Sequence, residues 1–165
     1  MEFTASHRFP HPFAVVADRF LDPDAHVGRY ELAGDRDVRV LQVERSADAL
    51  DLKTVRTVQG EVPALAQKLI KATNTVTTTD RWDRSADALR GRSLVEATSV
   101  PGTATIAAAL APDGDGCSYD LVLDLALTIP LIGDRFVKLL RPQVMEIIDA
   151  EFGAWDRYLA AGPAS

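Results

Sequence analysis

Residues 2–9 (EFTASHRF) alternate: Phe3, Ala5, His7 and Phe9 fall on one side, and Glu2, Thr4, Ser6 and Arg8 on the other. A period of two predicts a half-buried strand. Pro10 and Pro12 end it, because proline cannot donate to a ladder. The spacing then changes to threes and fours at Phe13, Val16, Ala17 and Phe20, which predicts a short helix with Pro12 at its first position. Asp22-Pro23 repeats the start signal, a capping aspartate followed by proline. Val27, Tyr30 and Glu31 continue this second helix, and Gly34 stops it.

From Asp37 to Ile129 the pattern predicts strands at 38–45, 50–59, 74–83, 91–99, 103–111 and 117–129. Turn residues separate most of them: Ser46-Ala47-Asp48, Ser85-Ala86-Asp87, Pro101-Gly102 and Asp113-Gly114-Asp115-Gly116. Short turns imply antiparallel pairing, since a parallel return needs a crossover of about a dozen residues. Residues 63–71 (PALAQKLIK) interrupt the meander as a short helix or ordered loop. The last strand is the clearest. Leu121, Leu123, Leu125, Leu127 and Ile129 share one face, while Asp120, Asp124 and Thr128 share the other, as in a sheet covered on one side only.

The cover is the final element. Between Gly133 and Ala161, Phe136, Val137, Leu140, Val144, Ile147, Ile148, Phe152, Trp155 and Leu159 form a broad apolar stripe, with Glu151 its one acidic intruder. Pro142 removes a helical hydrogen bond, so a bend is expected there, or a helix that begins later. The N-terminal third of the helix is then its weak point and the expected gate.

Composition narrows the class. The chain has 165 residues, the length of one domain, with ordinary hydrophobic (47%) and charged (25%) fractions. One domain is expected over residues 1–161, with a flexible tail at 162–165. A net charge of -6 argues against nucleic acid and against an anionic membrane surface. Cys117 is the only cysteine, so no intrachain disulfide is possible. No secretory signal and no apolar run long enough to span a membrane are expected, and the default location is the cytoplasm.

The order of strand, two short helices, about six antiparallel strands and a long helix resembles the START-like (SRPBCC) superfamily over essentially the whole chain. Leu127-Thr128-Ile129-Pro130-Leu131-Ile132-Gly133, running into the last helix, resembles a bacterial branch catalogued as a domain of unknown function. So do Phe3-Thr4-Ala5-Ser6-His7-Arg8-Phe9, Glu61-Val62-Pro63 and the strand-borne Trp82. The resemblance implies an α+β helix-grip fold: a curved sheet of about seven strands gripping the C-terminal helix around a cavity. Superfamily members bind lipids, sterols, polyketides and other apolar molecules; some are cyclases or hydrolases, others chaperone modules. No catalytic residue carries over.

Candidate chemistry is sparse. His7, His11 and His26 lack ligand spacing, so no metal or other cofactor is expected. Cys117 reads as a packing residue, and Asp113-Gly114-Asp115-Gly116 as a hairpin rather than a calcium loop. On the polar strand, Asp80 or Arg81 with Arg56 and Glu96 from its neighbours either orients a ligand or forms ion pairs on a wet outer face. His7 either points into the cavity or is a core histidine bonded to a neighbour. Alanines 104, 107, 108, 109 and 111 either admit a close helix or leave volume. The expected cavity residues are His7, Phe9, Arg56, Asp80, Ala108, Leu121, Leu123 and Leu125 from the strands, and Leu140, Val144, Ile148 and Trp155 from the helix. The expected partner is a hydrophobic small molecule or lipid. A cyclase- or hydrolase-like enzyme using His7, Asp80 or Arg56 and an interaction module with a collapsed cavity remain the alternatives.

Overall fold

The computed structural model describes residues 1–162. The expected tail at 162–165 lies outside the described residues from 163 onward. The elements are β1 (Glu2–Phe9), α1 (Phe13–Phe20), α2 (Pro23–Leu32), β2 (Arg36–Arg45), β3 (Ala49–Gln59), β4 (Thr73–Arg84), β5 (Leu89–Ala97), β6 (Gly102–Asp113), β7 (Gly116–Leu127), α3 (Gly133–Leu139) and α4 (Arg141–Ala161). The seven strands form one antiparallel sheet in the order β1-β7-β6-β5-β4-β3-β2. Sequential strands pair directly, as short turns require. The β6–β7 turn is a two-residue hairpin between Asp113 and Gly116, with Gly114 at φ +60°, a conformation that glycine adopts without strain. Only β1 is displaced: α1 and α2 carry the chain from β1, at one edge, to β2 at the other.

Register decides which side of each strand faces α4. Trp82 lies opposite Leu50 and Gly91, Asp80 opposite Leu52 and Ser93, and Thr78 opposite Thr54 and Val95. Directly opposed residues share a face, so Val76, Thr78, Asp80 and Trp82 point inward and all four are buried. Arg81 points outward and pairs with Asp51 (2.5 Å) and Asp83 (2.7 Å). The polar strand therefore turns Asp80 inward and forms its ion pairs, through Arg81, on the outer face. The segment at 63–71 is an ordered loop of consecutive turns, tied down by the buried Ala66.

The final helix is broken where proline predicts. α3 ends at Leu139, and α4 starts at Arg141 with Pro142 in its first turn, where a missing N–H costs nothing. At 21 residues α4 is about 31 Å long. Its Val144, Ile148, Phe152, Trp155 and Leu159 are buried against the sheet and α2.

The space under α4 is filled unevenly. At its C-terminal end Phe20 stacks on Trp155 (4.1 Å between ring centroids) and meets Trp82 and Tyr119 edge-on (5.2 Å each). Trp82 lies across Gly91, where any Cβ would collide with the indole ring. Aromatic rings thus plug this end. Toward the N-terminus of α4, Ala104 and Ala108 face leucines, and volume remains.

Candidate functional site: a cavity with a polar inner end

A cavity of about 370 Å³ occupies that volume. Its sheet wall comprises Val95, Ala104, Ile106, Ala108, Leu121, Leu123 and Leu125; Leu140, Val144 and Ile148 cover it; Val62 and Ile70 close one side. The small side chains of β6 make the room, so the alanine-rich strand leaves volume here, while its Leu110 fills the closed end. Ile147 lines the cavity yet is 67% exposed, so the cavity reaches solvent beside the first turns of α4.

The inner end is polar. Arg29 of α2 is buried, forms an ion pair with Glu151 of α4, donates to the Tyr30 hydroxyl (3.1 Å) and lies over the Tyr30 and Trp155 rings. Arg56 of β3 pairs with Asp35 (2.9 Å), donates to Thr78 Oγ1 (2.8 Å) and also lies over the Tyr30 ring, 3.8 Å from its centroid. Asp80 is 4% exposed and accepts a hydrogen bond from Ser93 on one oxygen; its other oxygen, Oδ2, has no partner among the described residues. Burial pushes the Asp80 carboxyl above its ordinary range, against the Ser93 hydrogen bond and the Arg29 and Arg56 charges, which pull it down. Asp35 is likewise raised by burial and partly restored by Arg56. Burial also pushes up the phenol of Tyr119, a cavity-lining residue of β7, which stays neutral. The arrangement can hold an apolar body along the leucines and hydrogen-bond a polar end at Asp80.

Of the twelve residues read from the sequence, Arg56, Asp80, Ala108, Leu121, Leu123, Leu125, Leu140, Val144 and Ile148 border the cavity. Three do not. Phe9 and Trp155 are fully enclosed in the aromatic plug. His7 points toward α4 but stops at Asp156 (2.9 Å) and stacks on Phe152 (4.8 Å between centroids). It is thus the histidine bonded to a neighbour. Its strand face does look toward the helix, but β1 runs along the edge, where α4 leaves no void.

Sequence reasoning missed Arg29 altogether. The buried face of α2 carries His26, Arg29 and Tyr30, and a face so polar gives no apolar periodicity to detect. Glu151 was the available signal: an acid within an apolar stripe calls for a buried cation. Cys117 is buried, and burial pushes its thiol up to about 11, which makes it an inert packing group.

His26 is buried beside Arg29, and burial and that charge lower its pKa from 6.5 to about 3. Its Nε2–H donates to the Phe20 carbonyl (2.7 Å), which sets the tautomer. The unfolded chain takes up this proton below about pH 6.5 and the folded chain only near 3. The contribution of His26 to stability is therefore complete above about 6.5 and declines as the pH falls below it. A ¹⁵N-resolved histidine spectrum at pH 5 should show His26 neutral and Nε2-protonated. A charged ring at that pH would contradict its burial.

Among the described residues no helix is long and apolar enough to cross a membrane, and no three metal-ligating residues converge.

Solved structures share this architecture. The protein TTHA0849 from Thermus thermophilus superposes with a TM-score of 0.69 at 19% identity, covering 99% of this chain and 100% of that one. Ara h 8.0201 superposes at 0.61 with 12% identity, covering 98% and 99%. The Zhui aromatase/cyclase from Streptomyces sp. R1128 superposes at 0.55 with 16% identity, covering 99% of each. At these identities the likeness concerns the fold, which is START-like. No curated protein matches the sequence. One family model does, over residues 4–159, nearly the whole of the fold just described, and the chain accordingly belongs to the family described as "Protein of unknown function (DUF2505)".

Proposed function

We propose that this protein binds a hydrophobic small molecule or lipid between the sheet and α4. The observation that carries this is the unfilled volume itself. Close-packed interiors leave few voids larger than a water molecule, whereas here about 370 Å³ stays open behind a wall of leucines and alanines. That size falls within the range of small-molecule sites, roughly 300–1,000 Å³. The likeness in fold to an aromatase/cyclase supports an apolar ligand in this position. The helix break at Leu140 sets the start of α4 beside the opening, where Ile147 is exposed, so entry occurs there.

The test is titration with a neutral fluorescent naphthylamine. The wild type should bind it saturably. Ala108→Trp should abolish binding, because an indole at position 108 occupies the cavity floor. Ile147→Trp, on an exposed side chain at the opening, should fold normally and weaken binding less. Absence of saturable binding by the wild type would overturn the proposal.

A catalytic reading has one observation behind it: Arg56 and Asp80 both border the cavity, and a carboxyl with raised proton affinity suits a general acid. Native mass spectrometry of protein from its own host would expose a co-purified molecule. Chemical conversion of that molecule on incubation would establish turnover.

A further inference from the structure

Three carboxyl groups and two guanidiniums surround the inner end of the cavity. Glu151 on α4 takes Arg29, and Asp35, between α2 and β2, takes Arg56. Asp80 is the odd acid. Ser93 satisfies one of its oxygens, and Oδ2 is left without a partner among the described residues at 4% exposure. An unsatisfied buried carboxyl oxygen is costly to leave dry, and a correctly placed ligand group recovers that cost.

From this count we infer that the ligand carries an uncharged hydroxyl as its polar end, docked at Asp80, with its apolar body along Ala108, Leu121 and Leu123. The inference rests on the binding function proposed above and adds the chemistry of the ligand's head.

Each alternative head meets a specific obstacle. A carboxylate would bring a fourth acid to two guanidiniums whose charges Glu151 and Asp35 already balance, so the one buried guanidinium donor left free among the described residues, Arg29 Nε, would compensate only part of its desolvation. An ammonium would require Asp80 to be ionised, which burial opposes, and would sit within reach of the Arg29 and Arg56 charges. A hydroxyl suits either state of Asp80. It accepts from the protonated acid and donates to the carboxylate, since one O–H group offers both a donor and two lone pairs. The neutral Tyr119 phenol, which also lines the cavity, adds no charge that would favour an ion.

The experiment displaces the bound naphthylamine with decan-1-ol, decanoate, decylammonium and 1-chlorodecane at pH 7, one chain length with four heads, the last of which neither donates nor usefully accepts a hydrogen bond. Decanol should displace at a concentration about tenfold or more below each of the others, a difference of about 1.4 kcal/mol. In Asp80→Asn, which keeps a hydrogen-bonding amide, decanol should retain its advantage over the chloride. In Asp80→Leu that ratio should fall to about one; the ratio is read within one protein, so a general loss of affinity does not imitate it. Equal displacement by all four would overturn the hydroxyl inference and leave apolar binding standing, and so would preference for either ion. Failure of the naphthylamine to bind at all would overturn the binding function and this inference with it. The wild-type series decides the matter even if the leucine variant does not fold.

Discussion

Truncating Trp155 to alanine is expected to lower the unfolding free energy by about 3–5 kcal/mol, among the largest losses a single core substitution produces. Trp155 is 1% exposed. Its ring stacks on Phe20, meets His26 edge-on at 5.4 Å between centroids, and lies beneath the Arg29 guanidinium. Removing it leaves a void that three elements share: α1 through Phe20, α2 through His26 and Arg29, and α4 itself. None of the three can close the gap alone without abandoning its contact with the sheet. For a chain of this length the loss corresponds to a fall in Tm of roughly 10 °C. Urea denaturation of Trp155→Ala beside Ile147→Ala checks it. The second variant alters an exposed side chain and should stay within about 0.5 kcal/mol of the wild type. Trp155 borders the plug rather than the cavity, so the folded fraction of Trp155→Ala should still take up the fluorescent probe. Near-wild-type stability would mean that the plug does not hold α4 in place.

The second large effect is an asymmetry at the Arg29–Glu151 pair. Glu151→Leu should destabilise by about 3 kcal/mol, because it strands a buried guanidinium whose remaining partners are the Tyr30 hydroxyl, the His26 Nδ1 (3.5 Å) and two ring faces, none of them charged. Arg29→Met should cost less. Glu151 is 31% exposed and can recover water, and methionine keeps much of the apolar stem against Tyr30 and Trp155. The double variant should then be more stable than Glu151→Leu, since replacing both members of a buried pair removes the stranded charge. A double-mutant cycle by denaturation measures this directly. Strict additivity would show that the two residues do not act as a pair. The same variants also test the charge count at the inner end of the cavity: Glu151→Leu leaves one cation unmatched there, so it should improve decanoate binding relative to decanol.

Much of this architecture is readable without coordinates, for reasons that are local. A strand with one wet face must alternate, and β1 and β7 do, from Phe3 to Phe9 and from Leu121 to Leu127. A helix over a sheet must repeat its apolar residues in threes and fours, as Val144, Ile148, Phe152, Trp155 and Leu159 do. Proline at 142 broke the helix because its ring lacks the N–H that a helix interior uses. The leucines of the cavity wall were legible by the same rule, since alternation alone assigns them to the covered face.

Only tertiary structure decided the rest. Which face of β4 turns inward depends on register with β3 and β5, and Thr, Asp and Arg leave both options open in sequence. The pairing of Arg29 with Glu151 joins residues far apart in the chain, and the polar buried face of α2 hides any periodic sign of it. His7, Phe9 and Trp155 share inward faces with the cavity residues but sit where aromatic rings already fill the space. Inwardness is a property of a strand or helix and is written in its period. Emptiness belongs to the fit between elements, set by the sizes of side chains that meet across the interior, and no single element's sequence encodes it.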